Sequence, residues 1–330
     1  MSAMNSADHA HIAVPAHLTP TQKASVLLEA MPWLRAYKGA TIVIKYGGAA
    51  MENAELMTSV MTDILLLKLI GVNPVIVHGG GKAINRMLAA LGIESVFEGG
   101  LRVTDDATMD VVQMVLKGQV NSQLVNELNL HGNIAVGMCG NDAGTLKAVP
   151  ISPELGRVGR IVEVDTRHVE DLIEGNYIPI IASLAAAADP HDEGVFNINA
   201  DVAAGEIAAA IHAHKIIFLT DVDGLYENYP DPGSLIASMT QEDVEGLIDS
   251  GKLASGMIPK IRACTHALGE GIPRAHIING TIPHALLLEL LTDQGIGTMI
   301  ARSDNADDAK LKRHALAGIA TRLIENLPKE

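Results

Sequence analysis

The sequence predicts an α/β protein with a mainly parallel, twisted sheet covered by helices on both faces. Apolar β-type segments alternate with helical segments from Thr41 onward. Two of these strands end in consecutive glycines, at Gly47-Gly48 and at Gly79-Gly80-Gly81. Only 3% of the residues are aromatic, and small aliphatic residues and glycine dominate, as expected where helices pack closely on a parallel sheet.

The composition of the 330-residue chain limits its functional class. The length suits one large two-lobed unit, or two domains, with room for a cleft. The 24 Lys and Arg residues stand against 39 Asp and Glu, and the net charge of −15 would repel a nucleic acid. The sequence contains no run of about 18 apolar residues, the length that a membrane-spanning helix needs. Cys139 and Cys264 form neither a disulfide framework nor a zinc spacing, so we expect a cytoplasmic protein without nucleic-acid or membrane partners.

The N-terminal region is expected to be a disordered leader over residues 1–19, followed by a helix over residues 20–38. Thr19 and Gln22 form a capping box, and Pro20 stands at the first helical position. Gly39 marks the end of the helix. Pro32 should kink or interrupt it. The apolar residues of the helix need a partner, either in another subunit or in the same domain.

The remaining elements follow in chain order. The predicted strands are 41–46, 75–78, 134–138, 178–182 and 215–220. Between the first of them, helices are predicted over 54–70 and 82–91. The Gly- and Pro-containing stretch 143–164 predicts a hairpin excursion from the sheet, and a lobe boundary is expected near residues 210–214.

The two glycine clusters predict an anion-binding site. A strand that ends in glycines and continues as a helix leaves backbone N–H groups unobstructed at the positive end of a helix dipole. Neither cluster matches a Walker P-loop or a Gly-x-Gly-x-x-Gly fingerprint. The basic residue Lys45 precedes the first cluster, and His78, which we interpret as structural, precedes the second.

Three further segments place polar residues in apolar surroundings. They are Gly100-Leu101-Arg102-Val103-Thr104-Asp105, Asn197-Ile198-Asn199-Ala200-Asp201 and Gly256-Met257-Ile258-Pro259-Lys260. Singly, each is more simply read as solvated or structural. Together with Lys45-Tyr46-Gly47-Gly48, His78-Gly79-Gly80-Gly81 and Leu219-Thr220-Asp221-Val222-Asp223-Gly224, they occur in the order found in the amino-acid kinase family. From about Lys45 to Ile300 the chain resembles the arginine-sensitive, N-acetylglutamate-phosphorylating branch of that family.

The resemblance implies a three-layer αβα sandwich with a mainly parallel central sheet, two lobes and an added N-terminal helix that serves oligomerisation. An amino-acid-substrate lobe with the dimer interface would span residues 40–212. An ATP-binding lobe with an arginine site would span 213–303, and residues 304–330 would form a C-terminal extension whose role the resemblance leaves open.

The implied reaction transfers the γ-phosphoryl group of ATP, accompanied by Mg²⁺, to the side-chain carboxylate of N-acetyl-L-glutamate. Lys45 and Lys260 would flank the transferring group, and Asp201 would hold both lysines while also capping the following helix. The implied phosphate contacts are Gly47, Gly48, Gly79 and Gly80. The implied substrate contacts are Gly80, Gly81, Arg102 and Asn197. No side-chain metal site is expected.

A second site is implied by the C-terminal segments 276–280, 284–290 and 295–300. L-arginine, as feedback inhibitor, would contact Lys215, His276, Glu289 and Gly295, with Trp33 supplying an aromatic group from the N-terminal helix. The N-terminal helices of the subunits would link dimers into a homohexamer, a trimer of dimers. Some relatives bind a nitrogen-signalling regulatory protein, and the resemblance leaves open whether this chain binds one. The alternatives are a family kinase for another substrate, such as glutamate or aspartate, and a non-catalytic arginine or nucleotide sensor.

Overall fold

The computed structural model describes residues 18–228, 231–249, 257–292 and 295–302. The expected leader up to residue 17, the extension from residue 303 and Gly256 of the last motif lie outside the described residues. The strands are β1 Thr41–Tyr46, β2 Asn73–His78, β3 Phe97–Glu98, β4 Leu101–Arg102, β5 Ala135–Cys139, β6 Leu146–Pro150, β7 Gly159–Val164, β8 Ile178–Ala182, β9 Leu184–Ala187, β10 Val195–Asn197, β11 Lys215–Thr220, β12 Ser238–Thr240, β13 Arg274–Asn279 and β14 Thr298–Ala301.

Ten α-helices and one π-helical segment join these strands in the described ranges. The α-helices are α1 Pro20–Tyr37, α2 Ala54–Leu69, α3 Gly81–Ala90, α4 Asp106–Gln113, α5 Ser122–Asn129, α6 Arg167–Glu174, α7 Ala200–Ala210, α8 Gln241–Asp249, α9 Ile258–Gly269 and α10 Ala285–Leu291. The π-helical segment, Met114–Asn121, connects α4 to α5. No described helix is both long and apolar enough to cross a bilayer.

Eight strands form one sheet in the order β12-β14-β13-β11-β1-β2-β8-β5. All neighbours pair in parallel except β13 and β14, which are antiparallel. The five predicted strands all lie in this sheet, so its mainly parallel character is confirmed. Strands β13 and β14 were not predicted. The predicted hairpin is confirmed as β6 and β7, an antiparallel pair in a separate four-stranded sheet.

Helices cover both faces of the large sheet. Along β1, Ile42 and Ile44 belong to one buried cluster with residues of α1 and α2, whereas Val43 belongs to a second cluster with residues of α7 and α9. Successive strand residues point to opposite faces, so the two clusters are the two sides of one sheet. The predicted three-layer αβα arrangement is confirmed.

Helix α1 begins with the predicted capping box. The Thr19 hydroxyl accepts the Gln22 N–H at 3.2 Å, and the Gln22 side chain accepts the Thr19 N–H at 2.9 Å. Of the two effects expected at Pro32, a kink or an interruption, the interruption is wrong, because the helix continues through Pro32 to Tyr37. A proline costs one backbone hydrogen bond, and the burial of Pro32, Trp33 and Tyr37 against the core offsets that loss.

Candidate active site

The two glycine clusters lie side by side at the carboxyl edge of the sheet. Their strands, β1 and β2, are parallel neighbours in the middle of the strand order. Ligands of open α/β sheets bind at this edge, beyond the carboxyl ends of the strands. The position of the clusters therefore agrees with the anion site predicted from the sequence.

Glycine is required in these clusters for two different physical reasons. Gly48 has φ +75°, a left-handed conformation that strains any other residue. At Gly80, an added Cβ would lie 2.7 Å from Cδ2 of Leu116 and 3.3 Å from Cγ2 of Val120. The backbone of the second cluster thus lies directly against the π-helical segment.

Asp201 holds the two predicted lysines together. Its carboxylate lies 2.8 Å from Nζ of Lys45 on β1 and 3.7 Å from Nζ of Lys260 on α9. Burial of Asp201 would raise its pKa, but the two ammonium groups outweigh burial and lower the pKa below its ordinary value. The carboxylate is therefore ionised at neutral pH and stands between two cations.

The expectation that Asp201 itself caps α7 is wrong. Asn199 is the N-cap, and its side-chain oxygen accepts the N–H groups of Asp201 at 2.9 Å and Val202 at 3.2 Å. Asp201 stands in the first turn instead. Its side chain is thereby left to the lysines, and the positive end of the helix dipole adds to its stabilisation.

One cavity of about 240 Å³ brings the predicted residues together. It is lined by Lys45, Gly47, Gly48, Gly79, Gly80, Gly81, Arg102, Asn197 and Asp201, together with Ile84, Phe97, Gly100, Leu101, Leu116, Val158, Ser183, Ile198, Asn199 and Ala200. Lys260 does not line this cavity but reaches it through Asp201. The cavity combines backbone N–H groups, cations and amides, which suits an anionic ligand.

Arg102 is buried at one side of the cavity, and burial lowers the pKa of its guanidinium. The guanidinium donates to the side chain of Asn85 at 2.6 Å, to the hydroxyl of Ser95 and to the carbonyl of Gly81 at 3.3 Å. It also lies 4.6 Å from the ring centroid of Phe97. These contacts hold the planar group in one orientation.

Sequence reasoning missed several of these residues. Asn85 follows Gly81 by four positions on α3, so helical spacing could have placed it beside the glycine cluster. Asn199 lies in the motif from Asn197 to Asp201, in which only Asn197 and Asp201 were predicted to act in the site. Ser95 and Phe97 belong to no recognisable pattern, because they reach Arg102 only through the β3–β4 hairpin.

A second buried cluster consists of Tyr37, Lys215, His276 and Glu289 and is here called the His276 cluster. Lys215, His276 and Glu289 are three of the residues predicted for arginine. Lys215 donates to the Tyr37 hydroxyl at 2.9 Å and lies 3.3 Å from Nε2 of His276, whose Nδ1 lies 2.7 Å from a Glu289 carboxylate oxygen. The other Glu289 oxygen accepts the N–H of Ile296 at 2.8 Å.

Two further residues predicted for arginine lie near this cluster in the sequence. Gly295 immediately precedes Ile296 and has φ +66°, and Trp33 is buried one helical turn before Tyr37 on α1. Tyr37 was not predicted. The cluster therefore joins α1 to the segment that follows α10.

No group of three or more His, Cys, Asp or Glu side chains within the described ranges is arranged to hold a metal ion. Near the carboxyl ends of β11 and β13, Asp223 accepts hydrogen bonds from Tyr226 at 2.6 Å and Asn279 at 2.7 Å. These bonds lower the pKa of the Asp223 carboxyl.

Comparison with known sequences gives a consistent set of relatives. The model of the amino acid kinase family matches residues 40–279. An acetylglutamate kinase of Thermosynechococcus vestitus is 49% identical over 294 residues, which are 88% of this chain and 98% of the relative. An acetylglutamate kinase of Caldanaerobacter subterraneus subsp. tengcongensis is 49% identical over 288 residues, which are 87% and 95% of the two chains.

Solved structures show the same similarity in three dimensions. N-acetylglutamate synthase from Neisseria gonorrhoeae, complexed with coenzyme A and N-acetyl-glutamate, matches with a TM-score of 0.75 and 28% identity over 85% of this chain. The chain spans only 63% of that synthase. A complex of the same synthase with coenzyme A and L-arginine matches with a TM-score of 0.71 and 25% identity, over 85% of this chain and 65% of the synthase.

Proposed function

The chain belongs to the amino acid kinase family, and from that premise we propose that it phosphorylates N-acetyl-L-glutamate with ATP as a step of arginine biosynthesis. The relatives at 44–49% identity are acetylglutamate kinases. The observation that carries the proposal is the pair of lysines on the Asp201 carboxylate, next to two glycine clusters and a buried arginine.

The reaction joins a side-chain carboxylate oxygen to the γ-phosphorus of ATP and breaks the bond from that phosphorus to the β–γ bridging oxygen. The products are an acyl phosphate and ADP. A carboxylate with a pKa of about 4.3 is already ionised at neutral pH, so no general base is needed. The obstacle is repulsion between anions, which fixed positive charge removes.

Lys45 and Lys260 are proposed to stabilise the charge on the transferring phosphoryl group. Asp201 between them limits their mutual repulsion and holds both ammonium groups in place. We propose that Gly47, Gly48, Gly79 and Gly80 donate backbone N–H groups to the phosphates. Their adjacency at the sheet edge supports this role.

The amino-acid substrate is proposed to bind at the Arg102 side of the cavity. The planar guanidinium suits bidentate binding of an α-carboxylate. Asn197 lines the same cavity and donates to the Thr104 hydroxyl at 3.3 Å, and Thr104 in turn donates to the Arg102 carbonyl at 2.8 Å. Gly80 and Gly81 complete the proposed substrate contacts.

Mg²⁺ is proposed to enter with ATP. The buried carboxylate of the cavity, Asp201, is already paired with two ammonium groups. The donor set of the cavity therefore fits an ion held by phosphate oxygens and water rather than by side chains. Such an ion would neutralise charge on the phosphates.

We also propose that the His276 cluster binds L-arginine as a feedback inhibitor, with Lys215, His276, Glu289, Gly295 and Trp33 as its contacts. A buried carboxylate beside the chain segment from Gly295 suits a guanidinium. The similarity to a synthase solved with L-arginine supports this assignment.

A homohexamer formed through α1, a cytoplasmic location and binding of a nitrogen-signalling regulatory protein are further parts of the proposal. Val26 and Leu27 on α1 are 53% and 70% exposed, which supports an apolar contact between subunits.

The proposed function is tested by ATP-dependent acyl phosphate formation, trapped as a hydroxamate. N-acetyl-L-glutamate, L-glutamate and L-aspartate are compared as acceptors, each with and without L-arginine. Turnover confined to the acetylated acceptor and inhibited by arginine is expected. Turnover with another acceptor, or none, would overturn the substrate assignment, and uninhibited turnover would overturn the arginine site alone.

A further inference from the structure

His78, the last residue of β2, is buried with 0% exposure directly behind the second glycine cluster. Its Nδ1 lies 2.9 Å from the Gly79 carbonyl oxygen, and its Nε2 lies 3.0 Å from Nδ2 of Asn121. Burial lowers the pKa of His78 to about 4, so the imidazole is neutral at pH 7. The side chain therefore has one donor nitrogen and one acceptor nitrogen.

Asn121 determines which nitrogen carries the proton. Its Nδ2 also lies 2.9 Å from the Ile180 carbonyl oxygen and 3.3 Å from the Met138 carbonyl oxygen. These two acceptors require the amide nitrogen, and not the amide oxygen, on this side. The amide nitrogen has two hydrogens for three acceptors, and its contacts with the Ile180 carbonyl and with Nε2 of His78 at 3.0 Å are shorter than its contact with the Met138 carbonyl. Asn121 thus donates to Nε2 of His78, and His78 donates from Nδ1 to the Gly79 carbonyl.

The same π-helical segment touches the glycine cluster directly. Leu116 and Val120 fill the space that a side chain at Gly80 would need. On the strand side, Gly137 leaves room for Asn121, because an added Cβ there would lie 2.0 Å from the amide oxygen. π-Helical turns occur frequently at functional sites. Here the segment contacts the cluster at Gly80 and, through His78, at Gly79.

We propose that Asn121 and His78 are positioning residues for phosphoryl transfer. Asn121 holds the tautomer of His78, which holds the Gly79 carbonyl and so aims the following N–H groups into the cavity. This inference rests on the proposed function, because the aimed N–H groups are those proposed to bind phosphate. A misplacement of about 1 Å in such a site can cost about 10²-fold in rate.

The test compares the Asn121→Leu and Asn129→Leu variants. Asn129 is a matched control, because it also ties a helix end to β5 through main-chain hydrogen bonds, to the Ala135 carbonyl at 3.1 Å and the Ala135 N–H at 2.8 Å. Within the described ranges, the side-chain hydrogen bonds of Asn129 go to Ile134 and Ala135 and not to the glycine cluster. We expect a lower melting temperature in both variants. Only Asn121→Leu should have a lower kcat, by about 10- to 100-fold. Equal kcat losses, or a kcat kept within about twofold in Asn121→Leu, would overturn the proposal.

Two readouts do not depend on turnover of N-acetyl-L-glutamate. The ¹⁵N shifts of the His78 imidazole should show a protonated Nδ1 and an unprotonated Nε2 in the wild-type protein, and the reverse tautomer contradicts the proposal. Calorimetric affinity for MgATP should fall about tenfold or more in Asn121→Leu and stay unchanged in Asn129→Leu. An inactive wild-type protein with this affinity difference would overturn the proposed function and leave the positioning role supported.

An isosteric variant covers the case in which Asn121→Leu does not fold. In Asn121→Asp, the carboxylate requires a proton on Nε2, so Nδ1–H is kept only in the imidazolium form. The kcat of this variant should fall as pH rises from 6 to 9, relative to the wild-type profile. A profile parallel to the wild-type one would refute the proposal that Asn121 acts through the tautomer of His78.

Discussion

Tyr46 and His78 are register partners at the last paired positions of β1 and β2. Because each is followed at once by glycine, this register sets the two glycine clusters side by side. Tyr46 is itself anchored, since its hydroxyl donates to the Ala50 carbonyl at 2.9 Å. A one-residue slip would turn Lys45 to the other face of the sheet, so the register is a condition for the site.

The first prediction concerns Lys260. The Lys260→Ala variant should lose kcat by about 10²- to 10³-fold with a smaller change in KM, because its charge is proposed to act on the transition state. Steady-state kinetics of hydroxamate formation measure this. Lys147→Ala, which removes a lysine from a pair with Glu163 at 2.7 Å on the hairpin, is the control. An unchanged kcat in Lys260→Ala would refute the assignment.

Arg102 should affect binding more than rate. Arg102→Ala is expected to raise the KM for N-acetyl-L-glutamate about 10- to 100-fold and to lower kcat less. This factor corresponds to the binding free energy that hydrogen bonds to a charged group contribute. Arg102→Lys keeps the charge but loses the planar fork, and it should restore little. Arg167→Ala, at an exposed ion pair with Asp165, serves as control. A KM that stays near the wild-type value in Arg102→Ala contradicts the substrate assignment.

Gly48 and Gly92 form a matched pair of left-handed glycines, with φ +75° and +70°, and neither has an atom within 4 Å of an added Cβ. Gly48→Ala and Gly92→Ala should each lower the free energy of unfolding by about 1 kcal/mol through backbone strain. Only Gly48→Ala should also lose kcat, by at least about tenfold. Denaturant unfolding and kinetics on both variants check this. Similar kcat values in the two variants would count against a phosphate contact at Gly48.

Asp63 should make stability depend on pH. Burial raises the pKa of this carboxyl to about 6, although its hydrogen bond with His284 opposes the rise. A folded-state pKa above the unfolded value means that its stabilising contribution is present below pH 4 and is lost as pH rises through 6, by about 3 kcal/mol. Urea unfolding at pH 4 and pH 8 should show most of this loss in the wild type and not in Asp63→Asn. The exposed Asp110→Asn variant should behave as wild type, and an equal loss in Asp63→Asn would contradict the assignment.

The exposed apolar face of α1 offers a milder test of assembly than deletion of residues 1–38, because deletion would also remove Trp33 and Tyr37 from the core. Leu27→Lys should convert the proposed hexamer into dimers and weaken inhibition by arginine, since a charge replaces apolar area between subunits. Light scattering and arginine titration measure both effects. Leu91→Lys, at another exposed leucine, is the control. A Leu27→Lys hexamer with normal inhibition would exclude this face as the contact.

The regular elements near the glycine clusters were predictable because their signals are local. The capping box of α1 and the bounds of β1, β8 and β11 follow from neighbouring residues alone. Strands β13 and β14 were missed. Their antiparallel pairing joins residues more than twenty positions apart and leaves no local signal in the sequence. The predicted division into lobes stays a prediction.

The sequence by itself determined the alternation of strands and helices, the glycine turns and the residue types available at the sheet edge, because backbone preference and hydrophobic period act over a few residues. The tertiary structure decided which distant side chains meet. Asn121 reaches His78 across 43 positions of sequence, and Lys215 reaches Tyr37 across 178. Such contacts depend on strand order and helix packing, which bring together residues whose local sequence carries no sign of the other.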